Sequence, residues 1–296
     1  MMYIRSLKHK PRHMPITEFA EPPVLYLPLY GYKGSVRVLV QPGESVKKYQ
    51  KVAVSEDGFV SVVHAPVSGI ADGVEDINGK PHLKLINDFK GEEFSADSLV
   101  ADTHTVPEIL LQLKEYGIEG AGGARFPAHL KYDFGNQDID VFIINGAECE
   151  PYLSADYALL KNEAPALLKA IALLQEVVRA KRIVIAIEKQ HKELKKFLAS
   201  HLSVHGVEVC VLPNEYPQGG ELQLIKSVTG QELPKGSIPA QYGVVVSNVG
   251  TLWAVYNAFY NKMPYVERVI TISGEKAQKM GNYSVKIGTP VSFLME

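Results

Sequence analysis

Short apolar runs bounded by turn residues fill the first hundred positions of the chain. Between residues 24 and 86, Val36-Arg-Val-Leu-Val40 and Phe59-Val-Ser-Val-Val63 are rich in β-branched residues. The turn signals are Pro42-Gly43, Asp57-Gly58 and Ser68-Gly69. Runs of this length and composition between turns are typical of short strands. The pattern therefore predicts an all-β module in the first third of the chain.

From about residue 102 to residue 261 the pattern changes to alternating strands and helices. The candidate strands are residues 141–145, 183–187, 207–212 and 244–246, and the candidate helices are residues 159–179, 191–201, 221–229 and 251–260. Such alternation predicts a mainly parallel sheet with helices on its faces. Open sheets of this kind bind ligands at the carboxyl ends of their strands.

A glycine-rich segment precedes the first of these strands, with the sequence Gly120-Ala-Gly-Gly-Ala-Arg-Phe-Pro-Ala-His-Leu-Lys131. Three glycines in four positions let backbone amides approach an anion, Pro127 suits a helix start, and Lys131 adds positive charge. The segment lacks the Lys-Ser/Thr pair of a Walker loop. It also follows a predicted helix at residues 106–116 rather than a strand, unlike a Rossmann loop. The sequence thus predicts a phosphate site of another type.

Three further blocks follow predicted strands. They are Asn145-Gly-Ala-Glu-Cys-Glu-Pro-Tyr152, Tyr216-Pro-Gln-Gly-Gly-Glu221 and Asn248-Val-Gly-Thr251. Together with the glycine segment they cover, in order, about half of the chain, and they resemble the flavin domain of the C subunit of Rnf electron-transport complexes. More distantly, they are similar to the flavin subunit of respiratory complex I.

The resemblance implies an FMN-binding subunit that oxidises NADH and passes electrons toward iron–sulfur clusters. It also implies a set of nucleotide-binding residues, with no catalytic residue and no metal ligand among them. The set comprises Gly120, Gly122, Gly123, Phe126, Lys131, Asn145, Glu148, Glu150, Tyr216, Gly219, Gly220, Glu221 and Asn248.

Several of these residues have a simpler structural interpretation as well. Phe126 can stack near the nicotinamide or act as a core anchor, and Glu148 and Glu150 can line the site or lie in a solvated turn. Arg125 stands where the family has small residues, so it can pair with a phosphate of a dinucleotide or point to solvent. This departure leaves the choice between NADH and NADPH open.

The N-terminal all-β module looks like a barrel-sandwich hybrid of the biotinyl or lipoyl type. Its matching turn is Ser55-Glu-Asp-Gly58, without the lysine of a carrier domain. The predicted organisation is an N-terminal arm at 1–22, the barrel-sandwich module at 23–100, the FMN/NADH domain at 101–262 and the beginning of a β-grasp module at 263–296. The basic arm is interpreted either as a solvated leader or as an interaction arm toward a partner or a membrane.

Composition narrows the possible partners. The formal net charge of −2 over 296 residues gives no case for nucleic acid, and no apolar run reaches the roughly 18 residues of a membrane span. The expected location is cytoplasmic, peripheral on the inner face of the membrane through other subunits of an Rnf-type complex, with a ferredoxin-like electron acceptor. With only two cysteines, 4Fe-4S clusters are expected only in a C-terminal region absent from this chain.

Two other functions are compatible with the sequence. One is a non-catalytic scaffold that keeps the fold without flavin. The other is the flavin subunit of a soluble cobalamin or amino-acid reductase system.

Overall fold

The computed structural model describes residues 6–8, 10–95, 105–201 and 206–295. The predicted boundary at residue 100 and part of the N-terminal arm lie outside these residues. Contacts group the chain into two compact units. The sheet unit comprises Met1–Thr17, Phe134–Trp253 and Val269–Tyr283, and the barrel unit comprises Glu18–Asp133, Ala254–Arg268 and Ser284–Glu296.

The strands and helices are numbered here in chain order. The strands are β1 Ile16–Glu18, β2 Val24–Pro28, β3 Val36–Val38, β4 Ser45–Val46, β5 Lys51–Ser55, β6 Val63–His64, β7 Gly69–Ile77, β8 Lys80–Asn87, β9 Val141–Gly146, β10 Arg182–Glu188, β11 Val207–Leu212, β12 Val244–Asn248, β13 Glu267–Ile272 and β14 Gly281–Lys286. The α-helices are α1 Val106–Glu115, α2 Ala128–Tyr132, α3 Ala155–Asn162, α4 Ala164–Val178, α5 Glu193–His201, α6 Glu221–Thr229, α7 Val249–Tyr260 and α8 Val291–Met295.

The barrel unit contains the predicted all-β module. Its strands form a sheet of order β2-β8-β7-β4 and a second of order β3-β5-β6, and the strand pairings in both are antiparallel. Alternate residues of β2 and β8 point inward, so that Leu25, Leu27, Leu83 and Leu85 are almost fully buried. This period-two burial makes one core between the sheets, and the prediction of an N-terminal barrel-sandwich module is confirmed.

The sheet unit contains a four-stranded parallel sheet of order β11-β10-β9-β12. The central strands β9 and β10 are apolar along nearly their whole length, as expected for strands with both faces covered. Apolar side chains from β9, β10 and β12 pack with α6 in one core cluster. The predicted α/β fold with a mainly parallel sheet is confirmed.

Some predicted elements differ in their limits. The single helix predicted at residues 159–179 is two helices that meet at Glu163, because Pro165 cannot donate the backbone hydrogen bond of a helix interior. Of the strand predicted at 59–63, only Val63 belongs to a strand. The strands near the C-terminus, β13 and β14, share a sheet of order β1-β14-β13 with the N-terminal strand. Among the described residues, no helix is both long and apolar enough to cross a bilayer.

Candidate nucleotide site

The glycine loop of the barrel unit spans residues 120–126 and is closed at its base by backbone hydrogen bonds. The Gly120 amide donates to the Phe126 carbonyl at 2.9 Å, and the Ala128 amide donates to the Ile118 carbonyl at 2.9 Å. Gly123 has φ +109°, and a Cβ there would meet no atom within 4 Å. The loop therefore leaves room for a ligand to approach its backbone at Gly123.

Arg125 takes part in the base of this loop. Its Nε donates to Glu119 Oε1 at 2.6 Å, and its guanidinium lies 5.2 Å from the centre of the Tyr30 ring. Its backbone has φ +52°, a left-handed conformation that is uncommon for a residue with a side chain. The Arg125 side chain is therefore paired within the unit and does not simply point to solvent.

Phe126 is the last residue of the loop, and Lys131 follows the loop in the chain. Phe126 is partly buried, and its ring meets the exposed Tyr32 ring edge to face at 5.0 Å. Lys131 lies in the short helix α2, which begins directly after Pro127 as expected from the sequence. Arg268 adds a hydrogen bond to the Ala121 carbonyl at 3.1 Å. Within the barrel unit, an aromatic ring thus lies at the end of the loop and a positively charged side chain contacts it at Ala121.

In the sheet unit, two asparagines lie side by side at the carboxyl ends of neighbouring strands. Asn145 on β9 and Asn248 on β12 are partners in the strand register. The Asn145 amide donates to the Gly219 carbonyl at 3.0 Å, and its Oδ1 accepts from the Ala147 amide at 3.1 Å. Asn145 therefore ties together two of the blocks that the sequence singled out, although they are far apart along the chain.

The segment of residues 216–221 is packed closely against the loop after β9. A Cβ on Gly219 would lie 2.3 Å from the Ala147 carbonyl oxygen, so only glycine fits without a shift of the backbone. Gly220 precedes the first residue of α6, Glu221, and Tyr216 is 41% exposed. The structure thus brings Gly219, Gly220 and Glu221 to the same strand ends as Asn145.

The two glutamates after β9 differ sharply. Glu148 is buried, and its carboxylate oxygens accept hydrogen bonds from the Asp156 amide at 2.9 Å and the Tyr157 amide at 3.0 Å. Burial, together with the charge of Asp156, raises the pKa of Glu148. Glu150 is exposed. Glu148 consequently anchors the beginning of α3, and only Glu150 is free of that structural role.

Lys8 is a site residue that the sequence analysis did not identify. Its side chain is 1% exposed, and its Nζ donates to Glu188 Oε2 at 3.2 Å and to the Glu148 carbonyl. The neighbouring Leu7 amide donates to the Pro151 carbonyl at 2.8 Å. The interpretation of this segment as a solvated leader is therefore wrong for residues 6–8. The sequence offered only one indication of this buried site, a lysine in a segment too short to show hydrophobic periodicity.

A cavity of about 240 Å³ lies at these strand ends within the sheet unit. Its lining comprises Ser6, Lys8, Cys149, Glu150, Pro151, Glu188, Gln190, Asn214 and Glu215. Burial raises the pKa of Glu188 and of the Cys149 thiol, so this thiol is not activated as a nucleophile. The cavity is polar and rich in carboxylates, which can accept hydrogen bonds from hydroxyl groups of a ligand.

Comparisons with known proteins agree with this architecture. The family model described as "Nuo51 FMN-binding domain" matches residues 113–257, and the one described as "RnfC Barrel sandwich hybrid domain" matches residues 2–85. The chain is thus of the class that joins a barrel-sandwich module to a flavin-type α/β domain. A solved NAD+-reducing NiFe hydrogenase in the air-oxidized state has the same fold, with TM-score 0.57 and 23% identity over 65% of this chain and 38% of that chain.

Curated relatives identify the family, which is that of the C subunits of ion-translocating oxidoreductase complexes. The chain is 34% identical to the C subunit of Vibrio cholerae serotype O1 (strain ATCC 39541), covering 97% of this chain and 38% of the relative. It is 33% identical to the C subunit of Haemophilus influenzae (strain PittEE), covering 96% of this chain and 44% of the relative. The chain belongs to this family and spans less than half the length of these relatives.

The residues present fit an FMN group. The open backbone at Gly123 suits a phosphate, which binds to backbone amides and positive charge, and Lys131 lies in the helix that follows this loop in the chain. The contact between Gly219 and Ala147 leaves no space for a side chain, so the backbone there is held at the strand ends where ligands of such sheets bind.

Proposed function

We propose that this chain binds FMN, accepts reducing equivalents from NADH and delivers electrons toward iron–sulfur clusters of an Rnf-type membrane complex. The observation that carries this proposal is the link from Asn145 to Gly219, which joins two family blocks at the carboxyl edge of the parallel sheet. Bound FMN would supply the chemistry, since flavins accept a hydride and release electrons one at a time. The protein supplies binding and orientation.

Each block has a proposed role in holding the nucleotides. Backbone amides at Gly122 and Gly123 donate to the FMN phosphate, and Lys131 neutralises its charge. Gly120, whose own amide donates to the Phe126 carbonyl, holds the loop in shape beneath the phosphate. Asn145 and Asn248 orient the flavin through polar groups at the strand ends. Their side chains also hold neighbouring loops, since Asn248 donates to Asp156 at 2.7 Å. This support fits residues that must be held rigid to orient a cofactor.

The remaining residues are proposed to bind NADH. Glu150 and Glu221 accept hydrogen bonds from ribose hydroxyls, Phe126 stacks on the nicotinamide, and Tyr216, Gly219 and Gly220 shape the edge of the site. Glu148 acts indirectly by fixing the loop that carries Glu150, because its carboxylate is engaged by the α3 amides.

Partners and location follow from the family. We propose that the chain works beside other subunits of the complex, on the cytoplasmic face of the membrane, and that a ferredoxin-like carrier is its electron partner. The relatives are named as subunits of an ion-translocating oxidoreductase complex, which supports an assembly of several chains.

Two measurements test the proposal. FMN titration by fluorescence quenching should give saturable binding, and anaerobic addition of NADH should bleach the flavin absorbance. Lys131→Ala should raise the Kd for FMN about tenfold, the effect of losing roughly 1.4 kcal/mol. Lys114→Ala, at an exposed lysine of α1, is the matched control and should leave the Kd unchanged.

The outcomes separate the alternatives. If the protein does not bind FMN, the proposal is refuted and the alternative function, a non-catalytic scaffold, is favoured. Full FMN occupancy without bleaching by NADH would refute the dehydrogenase role while keeping the flavin assignment.

A further inference from the structure

A second, smaller cavity lies at the base of the glycine loop, within the barrel unit. Its volume is about 30 Å³. Its lining comprises Leu27, Pro28, Ser61, Val62, Val63, His64, Gly117, Glu119, Arg125, Tyr265 and Ile287. The segment of residues 61–64 belongs to the barrel-sandwich module, whereas Gly117 and Glu119 lead into the glycine loop. The cavity therefore joins the two parts of this unit.

Three polar atoms at this cavity have no hydrogen-bond partner in the protein. They are Ser61 Oγ, His64 Nδ1 and Glu119 Oε2, and the three residues are only 7–8% exposed. Burial raises the pKa of Glu119, and the nearby Arg125 and Ser61 oppose this rise. Ser61 Oγ lies near the Glu119 carboxyl group, but the two make no hydrogen bond of normal geometry. A buried polar atom without a partner costs about 1–3 kcal/mol. Three such atoms around one space indicate a ligand that satisfies them.

The charges around the cavity exclude an ion. Glu119 Oε1 already accepts from Arg125, and the positive charge of Arg268 also acts on Glu119. Burial and Lys51 lower the pKa of His64 to about 3, so its ring is neutral. Tyr265 is the remaining titratable group of the lining. A cation would face two arginines, and an anion would face the carboxylate oxygen of Glu119.

We propose that this cavity binds one or two ordered water molecules. A buried water needs about 10–15 Å³ and two to four polar partners, and both requirements are met here. Water donates to Glu119 Oε2 and to His64 Nδ1, with the imidazole proton on Nε2, and accepts from the Ser61 hydroxyl. One neutral molecule thus satisfies all three orphaned atoms.

This water site fixes the entrance to the glycine loop. It links residues 61–64 to Glu119, and Glu119 in turn holds Arg125 in its left-handed conformation. The packing here is tight, because a Cβ on Gly117 would lie 2.2 Å from the Val62 carbonyl oxygen. The site is independent of any cofactor and does not rest on the proposed function.

A crystal structure of the 296-residue protein, at a resolution that shows ordered solvent, tests the ligand itself. The expected result is one or two water peaks within hydrogen-bond distance of at least two of the three orphaned atoms. An empty cavity, direct hydrogen bonds among these side chains, or a peak with the distances of a coordinated metal would each overturn the proposal.

Amide hydrogen exchange of the FMN-free protein tests the link to the loop. Ser61→Val fills the space and removes the hydroxyl, so exchange at residues 119–126 should become about tenfold faster. Ser61→Ala keeps the water with two partners and should have a smaller effect. Ser284→Ala is the matched control, since its hydroxyl is also unpartnered but does not line the cavity.

Unchanged exchange in a folded Ser61→Val protein would overturn the link. Should that variant not fold, Ser61→Ala provides the test, because it removes one partner of the water and leaves the contact between Glu119 and Arg125 in place. Neither readout involves flavin, so failure of this inference and failure of the proposed function are distinguishable.

Discussion

Lys8 carries a positive charge into a place from which water is almost excluded. Its partner Glu188 is 2% exposed, and the two residues are 180 positions apart in the chain. Buried ion pairs are stable only when both charges are present, because the desolvation penalty of each is otherwise uncompensated. The pair therefore fixes the position of residues 6–8 against the loop after β9.

Replacing Lys8 with methionine should lower the free energy of unfolding by about 3–5 kcal/mol, because the Glu188 carboxylate would stay buried without a counter-charge. Denaturant unfolding at neutral pH measures the change. The double variant Lys8→Met/Glu188→Gln should recover much of the loss.

Lys181→Met is the control, since the Lys181–Asp140 pair is exposed to solvent and should contribute little to the free energy of unfolding. Equal losses for the Lys8 and Lys181 variants would show that the buried pair has no special role.

At the scale of elements, the loop between β9 and α3 carries two glutamates with different roles. Glu148 stabilises the beginning of α3, and Glu150 is proposed to bind NADH. Glu148→Ala removes an acceptor from two amides at the beginning of α3, so we expect a loss of about 1–2 kcal/mol in the free energy of unfolding. Glu150→Ala should leave stability unchanged and should raise the KM for NADH. Thermal unfolding and flavin reduction kinetics, measured on both variants, check this division; a reversed pattern would exchange the two roles.

Elements with strong periodicity could be predicted from the sequence. The strand at residues 207–212 and the helix at residues 221–229 are found with the predicted limits, since each is bounded by residues with clear preferences such as Gly206 and Gly230. The division of the helix at 159–179 was missed, because its apolar pattern continues through Glu163 and hides the effect of Pro165. The hydrophobic pattern of a sequence therefore indicates which residues are buried more directly than it indicates where a helix begins or ends.

The site could be predicted only in part. The four motifs gave the loops at the strand ends, because glycines and strand-terminal asparagines are local signals. The partners of Arg125 and Lys8 were not predictable. Glu119 pairs with Arg125 across the base of the glycine loop, and Glu188, the partner of Lys8, lies at the end of a strand 180 positions away. Such pairings depend on three-dimensional proximity, and no spacing rule in one sequence encodes them.

At the scale of the whole molecule, each compact unit contains a histidine that is buried in its neutral form. Burial lowers the pKa of His64 in the barrel unit to about 3. In the sheet unit, burial and the nearby Lys8 and Arg12 lower the pKa of His191 to about 3. Both values lie well below the ordinary histidine pKa of 6.5. Between these limits the unfolded chain binds protons that the folded protein does not.

The free energy of unfolding should therefore fall as the pH decreases from about 6.5 toward 3, by at most about 1.4 kcal/mol per pH unit for each histidine. Above pH 6.5 these groups contribute no slope. His191→Phe, which places an apolar ring beside Tyr157, should reduce the acid sensitivity. Denaturant titrations at several pH values give the comparison, and parallel curves for the two proteins would contradict the expectation.

The sheet of order β1-β14-β13 also constrains how the chain is made. The Asn282 side chain donates to the Pro11 carbonyl across 271 positions, beside the pairing of β1 with β14. A ribosome releases β1 long before β14 exists, so the first strand of the nascent chain stays an unpaired edge for most of synthesis. Closure of this sheet must therefore wait until nearly all 296 residues have been translated.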